Sequence, residues 1–254
     1  MRFEDMMLYM PDKRLHRGCG PQDQMLFGAA QLPVLRSAAA DFCLLLSKGY
    51  AEKSSLKLVG DRYSLTSRQR AALVRCCCTD QQLKLRTAKQ RPVNEVSGSL
   101  VLLDGYNLLI TLEGALGQAA LFRGRDGCIR DIAGLHGTYR KVQETIPALE
   151  LVCEVLEELM PAEVLWLLDS PVSNSGRLKG LIERVGKEKG RNWRVRLETN
   201  PDCVLAGAEG LVVSSDSAIL DQCAKWVNLA DFIIRKMQAR GEGVLLLDFF
   251  SEAL

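Results

Sequence analysis

SLVLLDGYNLL, residues 99–109, opens with the unbroken apolar run Leu100–Leu103 and ends it on an acid, Asp104. An apolar run without polar alternation suits a strand buried on both faces, as in a parallel sheet covered by helices on either side. Two other segments repeat the pattern. Val164–Leu168 runs into Asp169 within WLLDSP, and Leu211–Val213 runs into Ser-Ser-Asp216 within VVSSDS. Trp193, Val195 and Leu197 alternate and predict a further strand. Between them, Leu149, Val152, Val155, Leu156 and Leu159 fall on one face of a helix expected over 146–160. Strands alternating with helices make residues 96–254 an α/β domain with a mostly parallel sheet.

Residues 1–95 have a different texture and predict a small all-α domain. Pro21-Gln22-Asp23 marks a helix start, Pro33 a kink or a division, and Gly49 a helix end. Gly60-Asp61-Arg62 reads as a turn. Thr66 and Gln69 have the spacing of a capping box, with a helix expected from there to about Cys78. Arg91-Pro92 and Gly98 mark the linker.

The charge divides with the texture. Residues 1–97 hold 16 basic and 9 acidic side chains, a net of +7, whereas the remainder is net −5. The excess lies in 53–91, where Arg62, Arg68 and Arg75 could share one surface. A basic half joined to an acidic half fits a polyanion partner, and equally a solvated helix face. Nine cysteines, three of them consecutive at 76–78, offer no zinc spacing, and only His16 and His136 could assist them. Free thiols, an N-terminus without an apolar leader and no long apolar segment predict a soluble cytoplasmic protein that does not enter a membrane.

Ligands of open parallel sheets bind beyond the carboxyl ends of the strands. Asp104, Asp169 and Asp216 end three strands, and Asp202 in ETNPDCVLAG (198–207) lies at a turn nearby. Each alone also reads as a helix cap. Together they predict a cation site, and hard oxygen donors select Mg²⁺ or Mn²⁺. DSPVSNSGR (169–177) follows a strand and is rich in hydroxyls and amides. It fits a phosphate through Ser173, Asn174, Ser175 and Arg177, or a plain polar loop. His136 and Tyr139 could contact a base or phosphate, or terminate a helix.

Asp104-Gly105-Tyr106-Asn107, Pro201-Asp202-Cys203-Val204-Leu205-Ala206 and Ser214-Ser215-Asp216-Ser217 together resemble the NYN branch of the PIN-like metal-dependent nucleases. The resemblance covers roughly residues 98–235. The full chain also resembles an uncharacterised prokaryotic family that joins a short helical domain to a PIN-like domain. LVGDRYSLTSRQR (58–70), RDIAGLHGTYR (130–140) and DSPVSNSGRL (169–178) carry that likeness. The implied fold is a small N-terminal all-α domain followed by a PIN-like three-layer α/β domain. The resemblance implies a metal cluster of Asp104, Asp202 and Asp216, with Asp169 and Asp221 as additional acids and Asn107 orienting the first loop. It also implies phosphodiester hydrolysis, with RNA rather than DNA as the partner; a homo-oligomer is left open. Those nucleases commonly carry a second acid two positions after the Ser-x-Asp aspartate, where this chain has Ala218. The alternative is a PIN-like module that binds nucleic acid or protein without cutting.

Other chemistries lack their residues. A haloacid-dehalogenase-type phosphatase needs a second Asp where Tyr106 stands. There is no GxxxxGK[ST] loop, no GxGxxG turn and no GxSxG elbow.

Overall fold

The computed structural model describes residues 16–132, 139–191 and 193–251. Among the described residues, its N-terminal region holds five helices: Asp23–Phe27 (α1), Leu32–Ser47 (α2), Glu52–Arg62 (α3), Ser67–Cys76 (α4) and Asp80–Lys89 (α5). Pro33 marks a division and not a kink, since the apolar stretch breaks into α1 and α2 just before it. It sits in the first turn of α2, where its missing N–H has no bond to lose. Gly60-Asp61-Arg62, expected as a turn, is the last turn of α3. The Arg70 guanidinium packs over Gly60, 2.2 Å from where a Cβ would stand. The Thr66–Gln69 capping box forms as expected, with Gln69 N donating to Thr66 Oγ1 (3.3 Å) and Thr66 N to Gln69 Oε1 (3.0 Å). The helix it starts ends at Cys76, because Cys77 turns extended and Thr79 opens α5 with a second capping box to Gln82.

The C-terminal region runs Leu100–Asp104 (β1), Gly105–Leu116 (α6), Leu121–Arg123 (β2), Ile129–Arg130 (β3), Thr145–Leu159 (α7) and Glu163–Asp169 (β4). It continues through Ser175–Glu188 (α8), Arg194–Glu198 (β5), Pro201–Ala206 (α9), Leu211–Val213 (β6), Ser217–Gln222 (α10), Leu229–Ala239 (α11) and Leu246–Asp248 (β7). The four expected strands form one parallel sheet in the order β5-β4-β1-β6, with Asp104 opposite Leu167, Asp169 opposite Glu198, and Leu103 opposite Val213. Strand periodicity divides the apolar residues between two faces. Val101, Leu103, Trp166 and Leu168 pack with α6, α7, α8 and α11, whereas Leu102, Leu165, Leu167 and Val212 pack with α9 and α10.

A second sheet, β3-β2-β7, was not legible in the sequence, because its strands are only two or three residues long. It completes the helical region's core. Ala120, Phe122, Leu247 and Phe249 share one apolar cluster with Leu26, Phe27, Leu35, Phe42 and Leu73. Phe122 meets Phe27 edge-on, with ring centroids 4.8 Å apart. The segment after α5 is also tied down: Arg91 N donates to Trp226 O (2.8 Å), and Trp226 Nε1 donates to Arg86 O (2.9 Å). All nine cysteines are free thiols. No helix among the described residues is long and apolar enough to cross a membrane.

Removing the helical region therefore uncovers Phe122, Leu247 and Phe249. Residues 96–254 expressed alone are expected to lack a cooperative thermal transition. Phe122→Ala in the full chain is expected to lose about 3–5 kcal/mol in denaturant titration. A cooperative melt of the fragment at the full chain's midpoint would refute the shared core.

Candidate functional site at the carboxyl edge of the parallel sheet

The chain leaves β1 toward β4 and β5, then crosses back to place β6 on the other side of β1. The β1/β6 boundary is thus the point where strand order reverses, the usual position of a ligand crevice in open α/β sheets. Asp104 ends β1 there, and Ser214-Ser215-Asp216 follows β6. Gly105 makes the turn possible: a Cβ on it would lie 2.9 Å from Leu167 O and 2.5 Å from Leu168 Cδ2.

The two loops are bonded to each other. Ser214 Oγ donates to Asp104 Oδ2 (2.7 Å), and Asp216 N donates to Ser214 Oγ (3.0 Å). Asn107 Oδ1 accepts from both Ser215 N and Ser215 Oγ, each at 2.9 Å. Asn107 therefore holds the β6 loop against the β1 loop. Asp104 and Asp216 each cap a helix, as the plainer reading expected. Asp104 Oδ1 accepts weakly from Asn107 N (3.4 Å), and Asp216 Oδ1 accepts from Ala218 N (2.8 Å) and Ile219 N (3.3 Å). Asp216 Oδ2 accepts no hydrogen bond among the described residues.

The acids sense one another. Burial pushes the Asp104 carboxyl up to about 7, and Asp202 and Asp216 add to the rise. Burial and then Asp216 raise Asp202, which is exposed in the first turn of α9; burial and then Asp202 raise Asp169. The fold thus brings Asp104, Asp169, Asp202 and Asp216 to one edge. Among the described residues, however, no three His, Cys, Asp or Glu side chains converge closely enough to hold a metal ion.

Other expected site residues lie elsewhere. Asp221 does not join the crevice. Its carboxylate accepts from Gln82 Nε2 (2.9 Å), Arg86 Nε (2.6 Å) and Arg86 Nη2 (3.0 Å), so it is neutralised by the helical region. Asn174 and Ser175 at the start of α8 bond inward, to Tyr139 O (3.1 Å) and Ser170 O (3.3 Å), while Ser173 and Arg177 remain exposed. Arg62, Arg68 and Arg75 do not form one free surface. Arg68 makes two bonds to the buried Asp23 carboxylate, and Arg62 lies 3.7 Å from Asp41; only Arg75 has no ion pair among the described residues. Tyr139 is buried with its hydroxyl donated to Glu113, a structural role; His136 lies outside the described residues.

The sequence reading missed the supports of the crevice. Arg130 Nε donates to Ser215 O (2.7 Å), and both its terminal nitrogens bind the Asp126 carboxylate (2.8 and 2.7 Å). Asp126 also accepts from Arg86 Nη1 (2.7 Å), with all three side chains buried. The only local signal is the i, i+4 pair within RDGCIR (125–130). Tyr106 was also missed as a polar group. Its hydroxyl is buried without a hydrogen-bond partner among the described residues, and burial, with Asp169 adding, pushes it up to about 12.

Comparison with known proteins divides the chain in the same order as its texture. Residues 34–89 match a model described as a protein of unknown function (DUF434). An uncharacterised protein of Methanocaldococcus jannaschii is 28% identical over 186 residues, covering 73% of this chain and 88% of that protein. No solved structure matches the chain. Residues 93–232, which include the crevice, match the model described as a domain of unknown function (DUF5616), and the chain belongs to that family.

Proposed function

We propose that the crevice is the site of a divalent-cation-dependent nuclease acting on RNA. The observation that carries this reading is the gathering of Asp104, Asp202 and Asp216 at the point of strand reversal, close enough that, beyond burial, Asp216 raises the carboxyl pKa of both others. The choice of hydrolysis, and of RNA over DNA, rests on the resemblance of the DGYN, PDCVLA and SSDS segments to NYN-type PIN-like nucleases.

The donor set suits Mg²⁺ or Mn²⁺, which take hard oxygen ligands. The spacing does not suit a preformed cage of three side chains. It suits an ion that keeps several waters and takes one or two carboxylates plus a substrate phosphate, the usual habit of Mg²⁺. Such an ion lowers the pKa of a bound water and neutralises developing charge on the phosphoryl oxygens. The chain's own residues set the geometry. Ser214 and the Asn107 amide fix both oxygens of Asp104, Asp216 presents its unbonded Oδ2, and Asp202 stands exposed at the mouth. The non-cutting alternative is favoured by Ala218, exposed in the first turn of α10 where the resembling nucleases commonly carry an acid.

Asparagine caps helices as well as aspartate does, so Asp104→Asn and Asp216→Asn remove charge while keeping the caps. With Mn²⁺ and single-stranded or structured RNA, each is expected to lose about a hundredfold or more in cleavage rate. Wild-type protein that cuts no RNA, or variants that cut equally well, would end the nuclease reading.

A second outcome concerns pH. The folded Asp104 carboxyl titrates about 7 against an ordinary 3.8, so between those values the folded protein holds a proton that the unfolded chain has lost. Metal-free stability should therefore fall as pH rises through that window, by at most about 1.4 kcal/mol per pH unit. In EDTA, melting of the wild type should drop more between pH 5 and 8 than melting of Asp104→Asn. At pH 8, Mn²⁺ should raise the wild-type midpoint and leave the variant's unchanged.

A further inference from the structure

A groove of about 290 Å³ runs between the helical region and the carboxyl edge of the sheet. Ser215, Asp216 and Ser217 line it, so it adjoins the acidic crevice. Arg75 in the last turn of α4 and Glu52 at the start of α3 line it as well. Its volume is near the low end of small-molecule pockets, roughly 300 Å³.

Three arginines line it, and two are already neutralised. Arg86 is bound by Asp126 and Asp221, and Arg130 by Asp126 and the Ser215 carbonyl. Arg75 is exposed, with no ion pair among the described residues, so its charge is available to a ligand. Arg62 and Arg68, which belong to the same basic stretch, are engaged by Asp41 and Asp23.

We infer that this groove receives the strand leaving the crevice and that Arg75 holds its phosphodiester backbone, making the helical region part of the RNA site. The inference rests on the reading of the crevice as an RNA site. A strand threaded past Asp216 must continue over a neighbouring surface, and this groove, which Asp216 itself lines, meets it there. Glu52, which also lines the groove, opposes a phosphate, so its neutralisation should strengthen binding.

The test is fluorescence anisotropy of the full chain with a labelled single-stranded RNA 12-mer in EDTA, titrated with salt. One lost phosphate contact lowers the slope of log affinity against log salt by about 0.7, which is about fivefold in affinity near 0.1 M salt. Arg75→Gln should show that loss, Arg75→Glu a larger one, and Arg75→Lys close to none. Glu52→Gln should tighten binding, and Arg62→Glu should match wild type. Circular dichroism checks that each variant is folded, which is expected because Arg75, Glu52 and Arg62 are all exposed. If wild type binds and Arg75→Glu keeps its affinity and slope, the groove is wrong and the crevice reading stands. If Arg62→Glu loses as much as Arg75→Glu, the effect is diffuse charge and the groove is equally wrong. If wild type binds no RNA in EDTA, the groove is wrong, and cleavage with Mn²⁺ decides the crevice reading separately.

Discussion

Two buried arginines share one carboxylate at the junction of every part of this molecule. Asp126, on the turn between β2 and β3, accepts from Arg86 of α5 and from Arg130 of β3. Arg86 reaches on to Asp221 of α10, and Arg130 to the Ser215 carbonyl beside the crevice. The two cations and two anions balance, so the network can be buried as a whole. Breaking it is costly because any one deletion leaves a charge without its partner. Its net stabilisation is small, since desolvation offsets most of the Coulomb gain. What it contributes is position: helical region, small sheet and β6 loop cannot move independently while it is intact.

That constraint places the crevice. The backbone of Ser215 is fixed from one side by the Arg130 guanidinium and from the other by the Asn107 amide oxygen. Ser214, one residue earlier, then directs its hydroxyl to Asp104. Of the four acids at the edge, each of the pair Asp104 and Asp216 consequently has two functions. It caps a helix with one oxygen and contributes its charge to a shared edge where burial disfavours ionisation. Capping offsets part of the repulsion between Asp104 and Asp216, because backbone amides donate to both carboxylates. It also spreads them, which is why they form an open edge instead of a closed cage.

The helical region is more than an appendage. Its core is finished by Phe122, Leu247 and Phe249 from the other half of the chain, and its α5 neutralises Asp221. Among the described residues, seven of its thirteen Lys and Arg side chains form ion pairs. Of the three arginines that composition singled out, two are consumed by nearby aspartates, and the third faces the groove. A net charge of +7 in the first 97 residues thus overstated the free positive surface.

Local chemistry was enough to determine the parallel strands, the helix over 145–159, the Thr66–Gln69 cap and the acids at the strand ends. Unbroken apolar runs and capping spacings are short-range signals that survive without knowledge of neighbours. It was not enough for β2, β3 and β7, which are too short to show a period and exist because they pair with each other and cover the helical core. Nor could it separate Asp221 from Asp216. Five residues apart in sequence, the two acids point to different partners, since Arg86 approaches only one of them, and from 135 residues away. The same limit applies to Arg130, an ordinary charged residue in sequence that becomes the support of the crevice only when folding brings Asp126 and Ser215 to it. Residue type determined which groups could act here; burial and long-range pairing decided which of them remain free to do so.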